Sequence, residues 1–298
     1  MTEDAFEQQV IAIVGIGLMG GSLALALRER QVGQRILAVD HNPKTCAHAR
    51  ARGLEAVPDL GAVTQADVII LATPVRTIIE LLPRVGALAR AGALVMDLGS
   101  TKRDIVQAMN GLPAHLQVIG GHPLCGKETA GFASADAKLF QNAVFALSPL
   151  ARTSAATLAH AQRLVQRTGA RPLIVEAERH DRILATTSHL PYLLAAALMR
   201  VANEQARDED LLFTLAASGF QDTSRLAASN TTMMLDILMT NRANVTEALR
   251  ASARQLSEFA DLMTNEEEFT LHTILATLAN KRHTLFKQPS PIENQKSF

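Results

Sequence analysis

Residues 10–29 read VIAIVGIGLMGGSLALALRE, and this stretch decides the fold. Val10–Val14 is a short apolar run that ends at a glycine, and a helical pattern follows from Leu18 to Glu29. Between them lies Gly15-Ile16-Gly17-Leu18-Met19-Gly20, a G-x-G-x-x-G spacing set where a strand turns into a helix. Gly15 permits the tight turn, Gly17 lets the backbone approach a pyrophosphate, and Gly20 lets helix and strand pack closely. The helix N-terminus offers free N–H groups and a partial positive charge to the phosphates. Asp40 lies 25 residues beyond Gly15, at the end of the next apolar run, Arg35–Val39. A carboxylate there can accept from both ribose hydroxyls and repels a 2′-phosphate. His41-Asn42 is not the arginine that a 2′-phosphate needs, so the pattern favours NAD over NADP.

The alternation continues outward from this unit. A helix is expected near Lys44–Arg52, after Asn42-Pro43. Val68–Ala72 reads as a fully buried strand, and Thr73-Pro74 starts the next helix. Leu94–Asp97 repeats the theme, with a helix at Ser100–Met109. Strand and helix alternating at this spacing predict a parallel sheet with right-handed crossovers. Val118–Gly120, Ala143–Leu147 and Pro172–Val175 add strands, and Ser154–Arg167 adds a helix. After Glu176 the strand signal stops, and Arg179 to about Lys287 is Ala-, Leu- and Met-rich with helical spacing. The expected fold is therefore an α/β Rossmann-type dinucleotide-binding domain, residues 1–177, followed by an all-α domain, residues 178–298. The tail Gln288–Phe298 carries two prolines and is expected to be loose.

Composition narrows the function classes. The 298 residues are 48% apolar and 19% charged, enough for a real core. A formal net charge of +0 with no long basic run argues against nucleic acid or an anionic membrane as the main partner. The two cysteines, Cys46 and Cys125, cannot build a disulfide framework or a four-thiolate metal site, and no metal is expected. The first nine residues, MTEDAFEQQ, are acidic and polar rather than basic then apolar. The longest apolar helical run, Leu190 to Ala202, contains Arg200 and falls short of a bilayer span. A cytoplasmic chain is expected.

A second constellation lies at Gly120–Gly131, reading GGHPLCGKETAG. It is expected to be a long irregular loop following a strand, at the sheet edge where ligands bind in open α/β folds. Ser100, after Asp97-Leu98-Gly99, ends another strand and can face the same crevice. With GIGLMGGS at Gly15–Ser22, DLGSTK at Asp97–Lys102, HDRILATTSHLP at His180–Pro191 and GFQDTSR at Gly219–Arg225, five motifs run in order along nearly the whole chain. In these the sequence resembles the prephenate dehydrogenase family, with its arogenate and cyclohexadienyl variants. The resemblance implies a Rossmann-type domain followed by a helical dimerisation domain, and hence a homodimer. It implies NAD-dependent oxidative decarboxylation of prephenate to 4-hydroxyphenylpyruvate in tyrosine biosynthesis, or of arogenate to tyrosine.

By this resemblance His122 is the base that accepts the hydroxyl proton, and Ser100 orients His122 or the hydroxyl. Arg225 grips a substrate carboxylate through its planar guanidinium. His189, Tyr192 and Glu128 complete the substrate site. The cofactor site takes Gly15, Gly17, Leu18, Met19, Gly20, Asp40 and Thr73. Some residues keep two readings. His180 either joins the site or caps and links the domains with Asp181, and His189 is either a ligand group or a buried helical histidine with a structural bond. Lys127-Glu128 is either a solvated pair or an ordering element of the loop. Cys125, near His122, lacks the further ligand that a metal needs. One departure stands out: relatives often read SHLPH, and this chain carries its one tyrosine, Tyr192, at the second histidine. Two rivals share the fold: a β-hydroxyacid dehydrogenase and a non-catalytic NAD-sensing protein. The first would use a lysine on a helix after the Rossmann half, whereas Lys138 and Asn142 precede the strand Ala143–Leu147.

Overall fold

Eight strands form one sheet in the order β3-β2-β1-β4-β5-β6-β7-β8, in a computed structural model that describes residues 6–127 and 129–287. The strands are β1 (Val10–Val14), β2 (Arg35–Val39), β3 (Glu55–Val57), β4 (Val68–Leu71), β5 (Leu94–Asp97), β6 (Gln117–Pro123), β7 (Val144–Ser148) and β8 (Arg171–Ile174). β1 pairs in parallel with β2 and with β4, so the strand order reverses there, and a crevice opens beyond their carboxyl ends. Helices α1 (Leu18–Glu29), α2 (Pro43–Ala51), α3 (Val75–Leu88), α4 (Arg103–Asn110) and α5 (Ala155–Arg167) connect the strands.

Alternate residues of the central strands feed two separate cores. Ile11, Ile13, Val68, Ile70 and Met96 face one cluster, while Ala12, Val14, Ile69, Leu71 and Val95 face the other. Both faces are thus covered, which is why these strands read as unbroken apolar runs. Burying a Val, Leu or Ile side chain contributes about 1.5–3 kcal/mol, so this double core dominates the stability of the domain.

Three features depart from expectation. β7 runs antiparallel to β6, with His122 opposite Ala146. A parallel neighbour needs a crossover, usually helical. The described residues between β6 and β7 supply only a single 3-10 turn, Phe132–Ser134. β6 also continues beyond its pairing with β5, which ends at Ile119, so Gly120–Pro123 are strand rather than irregular loop. Finally, α4 begins at Arg103, not at Ser100, because its first N–H groups are capped from outside the helix.

Beyond β8 the described chain is helical. α6 (Ala177–Leu184) runs through a π-helical turn, Ala185–His189, into α7 (Leu190–Gln205). α8 (Ser218–Ser224), a 3-10 turn at Arg225–Ala228 and α9 (Thr231–Thr240) follow, then α10 (Arg242–Thr264) and α11 (Glu268–Lys287). The chain forms two compact units, Met1–Val245 and Thr246–Phe298. Within the first, α6 and α9 dock on the sheet domain through polar contacts. Arg76 pairs with Asp236 at 3.2 Å, and the Thr101 and Thr240 hydroxyls lie 2.9 Å apart. The second unit holds the rest of α10 and α11, joined by a turn in which Glu266 takes φ 57°. Leu256, Met263, Phe269 and Leu275 stay exposed there.

Candidate active site

The glycine turn is built at the crevice between β1 and β4. Gly15 has φ +89°, a conformation that side-chain-bearing residues rarely adopt, and a Cβ there would meet Thr73 at 2.6 Å. At Gly20 a Cβ would lie 1.9 Å from the Gly15 carbonyl oxygen, so only glycine lets α1 leave the strand this closely. Gly17 differs: a Cβ would meet nothing within 4 Å. It opens α1, whose first turn carries no acidic residue and no side-chain cap. Glycine at 17 thus preserves open space in front of uncapped N–H groups, which is what a bound phosphate requires. The Thr73 hydroxyl, beside Gly15, is buried without a hydrogen-bond partner among the described residues. Asp40 accepts from Ile16 N–H at 3.0 Å and from Asn42 N–H at 2.9 Å. Each carboxylate oxygen retains capacity for a further donor, so a ribose diol fits.

Along the same carboxyl edge, β6 carries His122. Just before it, a fully buried ion pair ties three backbone segments together. Lys102 Nζ bonds Asp97 and donates to the Gly121 carbonyl at 2.6 Å, and Asp97 accepts from Gly121 N–H at 3.0 Å and Gly99 N–H at 2.7 Å. Burial pushes the Asp97 carboxyl up and the Lys102 amine down, and each charge opposes the other's shift. At Gly121 a Cβ would lie 2.5 Å from the Asp97 carbonyl oxygen, so the glycine lets β6 close against the end of β5.

His122 is half-buried, and its Nδ1 lies 2.9 Å from His180 Nε2. His180 Nδ1 lies 2.8 Å from the Asp181 carboxylate. That carboxylate also accepts from Lys102 N–H at 2.7 Å and Arg103 N–H at 2.9 Å, so it is the cap of α4. Burial first, then the fields of His180, Lys102 and His189, hold His122 well below the usual imidazole value. It is therefore neutral at pH 7. His189 is buried, receives a hydrogen bond from Asn241 Nδ2 at 3.2 Å, and is held down to about 4, chiefly by burial. Asn241 also donates to the Asp181 carbonyl at 2.7 Å. Burial pushes the Cys125 thiol up to about 11, which leaves no thiolate nucleophile at neutral pH.

Two family models match the chain in succession. Residues 23–174 match "Prephenate dehydrogenase, nucleotide-binding domain" and residues 176–277 match "Prephenate dehydrogenase, dimerization domain". The chain belongs to the prephenate dehydrogenase family. A prephenate dehydrogenase of Bacillus subtilis is 30% identical over 286 residues, 93% of this chain and 76% of that protein. The crystal structure of prephenate dehydrogenase from A. aeolicus in complex with hydroxyphenyl propionate and NAD+ superposes with a TM-score of 0.88 at 30% identity, covering 93% of this chain and 98% of that one. A Synechocystis arogenate dehydrogenase gives 0.80 at 30% identity, covering 93% and 99%.

In this member of the prephenate dehydrogenase family, the structure brings His122, His180, Asp181, Lys102 and His189 together. The sequence left His180 open between a site residue and, with Asp181, a cap or domain link. They are that, since Asp181 caps α4, and they also contact the histidine at the end of β6. Ser100 sits in the loop just before Thr101 and Lys102, but it is His180 that bonds Nδ1 of His122. Tyr192 is half-buried in the first turn of α7, one turn after His189. Arg225 is exposed and opens the 3-10 turn that packs against α7. Glu128 lies outside the described residues.

Proposed function

We propose that this chain catalyses the NAD-dependent oxidative decarboxylation of prephenate to 4-hydroxyphenylpyruvate, a step of tyrosine biosynthesis, with arogenate as a second substrate. The observation that carries the reading is His122, a neutral imidazole on the carboxyl edge that also holds the Gly15–Gly20 turn, in a chain of this family. Relatives named for prephenate and for arogenate are equally similar in identity, and the two substrates differ only in a keto against an ammonium group on the side chain.

Bound NAD would supply the hydride acceptor. His122 takes the proton of the ring hydroxyl as that carbon loses hydride, the opposite carbon releases CO₂, and the ring becomes aromatic. Ser100 steadies the hydroxyl. Arg225 holds a substrate carboxylate in a two-bond fork, and His189, Tyr192 and Glu128 complete the pocket. Gly15, Gly17, Leu18, Met19, Gly20 and Thr73 cradle the dinucleotide, and Asp40 receives its ribose. Residues 1–177 bind nucleotide, while residues 178–298 supply substrate groups and join two copies in a homodimer. The β-hydroxyacid rival loses support at Asn142, which turns at φ +62° with its N–H on the Gly169 carbonyl, ahead of β7 rather than on a helix.

Absorbance at 340 nm tests the proposal, with prephenate, arogenate or a 3-hydroxy acid, each with NAD and NADP. Turnover of prephenate with NAD, and a weaker rate with NADP, is expected. Turnover of the 3-hydroxy acid alone would overturn the substrate class, and a preference for NADP would overturn the role of Asp40.

A further inference from the structure

We propose that His180 and Asp181 are positioning residues that hold His122 in one tautomer, with hydrogen on Nδ1 and the lone pair on Nε2. This rests on the reading of His122 as the base, and it says which nitrogen acts and what selects it. A carboxylate accepts hydrogen bonds and cannot donate them, so the 2.8 Å contact with Asp181 puts the hydrogen of His180 on Nδ1. A neutral imidazole has one donor and one acceptor nitrogen. His180 Nε2 is then an acceptor, and the 2.9 Å contact makes His122 Nδ1 the donor. The remaining nitrogen of His122, Nε2, is left with a lone pair and can take a proton.

The arrangement is rigid at its far end. Asp181 is fixed by the Lys102 and Arg103 N–H groups as well as by His180, and its backbone carbonyl is held by Asn241 at 2.7 Å. Both members of the dyad are almost fully buried, at 2% and 1% exposure, so water does not compete for these contacts. The same two rings could carry the opposite hydrogen order only if His180 held two hydrogens. His122 Nδ1 would then accept, its hydrogen would move to Nε2, and the base would be blocked. Steering of a histidine base's tautomer by a buried carboxylate is worth several orders of magnitude in serine-protease sites, with geometry otherwise intact.

The test uses the full-length enzyme and two readouts. Long-range ¹⁵N–¹H spectra of ¹⁵N-histidine-labelled protein, with His122 identified by its loss in His122→Asn, read the tautomer directly and need no folded variant of His180. Hydrogen on Nδ1 of His122 is expected in the wild type. In kinetics, His180→Leu removes the acceptor and should lower kcat about 10²-fold with KM within about three-fold. His180→Gln places an amide oxygen within reach of Nδ1 and should recover at least about ten-fold of that loss. A purely structural role predicts equal damage from both variants, so equal losses overturn the proposal. So does a wild-type spectrum with hydrogen on Nε2 alongside an inactive His122→Asn. Near-normal kcat in His122→Asn would instead remove the base itself, and the dyad's purpose with it, whatever tautomer the spectrum reads.

Discussion

His122 concentrates the chemistry, and its replacement has a defined expected cost. His122→Asn keeps a similar size but cannot take the proton, so kcat should fall about 10²–10⁴-fold with KM little changed. Steady-state kinetics with prephenate check this. The pH profile gives a second reading of the same residue. Its folded-state value lies well below the ordinary imidazole value, so protonation, and loss of activity, comes only as pH falls past that lower value. The acid limb of kcat/KM should therefore have its midpoint below ~6.5; a midpoint above 7 contradicts the burial argument. His189 acts on stability. Its value of about 4 in the folded chain lies below ~6.5 for a free imidazole, so the unfolded chain binds the extra proton between those pH values. Its contribution is complete above ~6.5 and is lost as pH falls toward 4, on the order of 3 kcal/mol. His122 pulls the same way. His189→Leu should accordingly shrink, not abolish, the fall in Tm between pH 7 and 4.5, and an unchanged fall in Tm would remove His189 as a contributor.

At the scale of elements, the end of β5 and the start of α4 are held by the Asp97–Lys102 pair together with the turn in which Asp97 accepts from Gly99 N–H. Lys102→Met leaves a buried carboxylate without its cation, which should cost about 3–5 kcal/mol. Adding Asp97→Asn removes the stranded charge and should restore part of the loss; denaturant midpoints of the two variants decide. If the double variant is no more stable than Lys102→Met, the cost lies in packing. Much of this level was legible from residues alone. The β1–α1 unit was, because its glycines answer to local geometry that Gly15 and Gly20 still display. The placing of His122 at the carboxyl edge of the sheet was too, although its stretch is strand rather than the expected loop. The His180–His122 contact was not, since it joins residues 58 apart in sequence through a fold that no local pattern encodes. β3, only three residues long, carries too little periodicity to register, and the π-turn Ala185–His189 breaks the very spacing by which helices are read. The reversed direction of β7 goes with a connection whose described residues carry a 3-10 turn and no α-helix, a negative signal that strand runs do not carry.

For the whole molecule, exposed apolar side chains remain in both units, on the stretch between α7 and α8 and on α11. Leu215 is 77% exposed in the first, and Phe269 is 84% exposed in the second. The matched model for residues 176–277 is a dimerization domain, and both residues lie within it. Sedimentation at micromolar concentration should give twice the 32.0 kDa chain mass. Phe269→Lys should weaken that association at least about ten-fold while leaving the far-ultraviolet spectrum unchanged. A 32.0 kDa species at every concentration would rule the dimer out. The cap of α4 by Asp181 has its own consequence for dissecting this protein. Cutting the chain after residue 177 would keep all eight strands, yet it would strip the Lys102 and Arg103 N–H groups of their acceptor and take away the neighbour of His122 Nδ1. The nucleotide-binding half expressed alone would hold its sheet and still lose the head of α4 and the setting of His122. The seam visible in the sequence is a poor place for scissors.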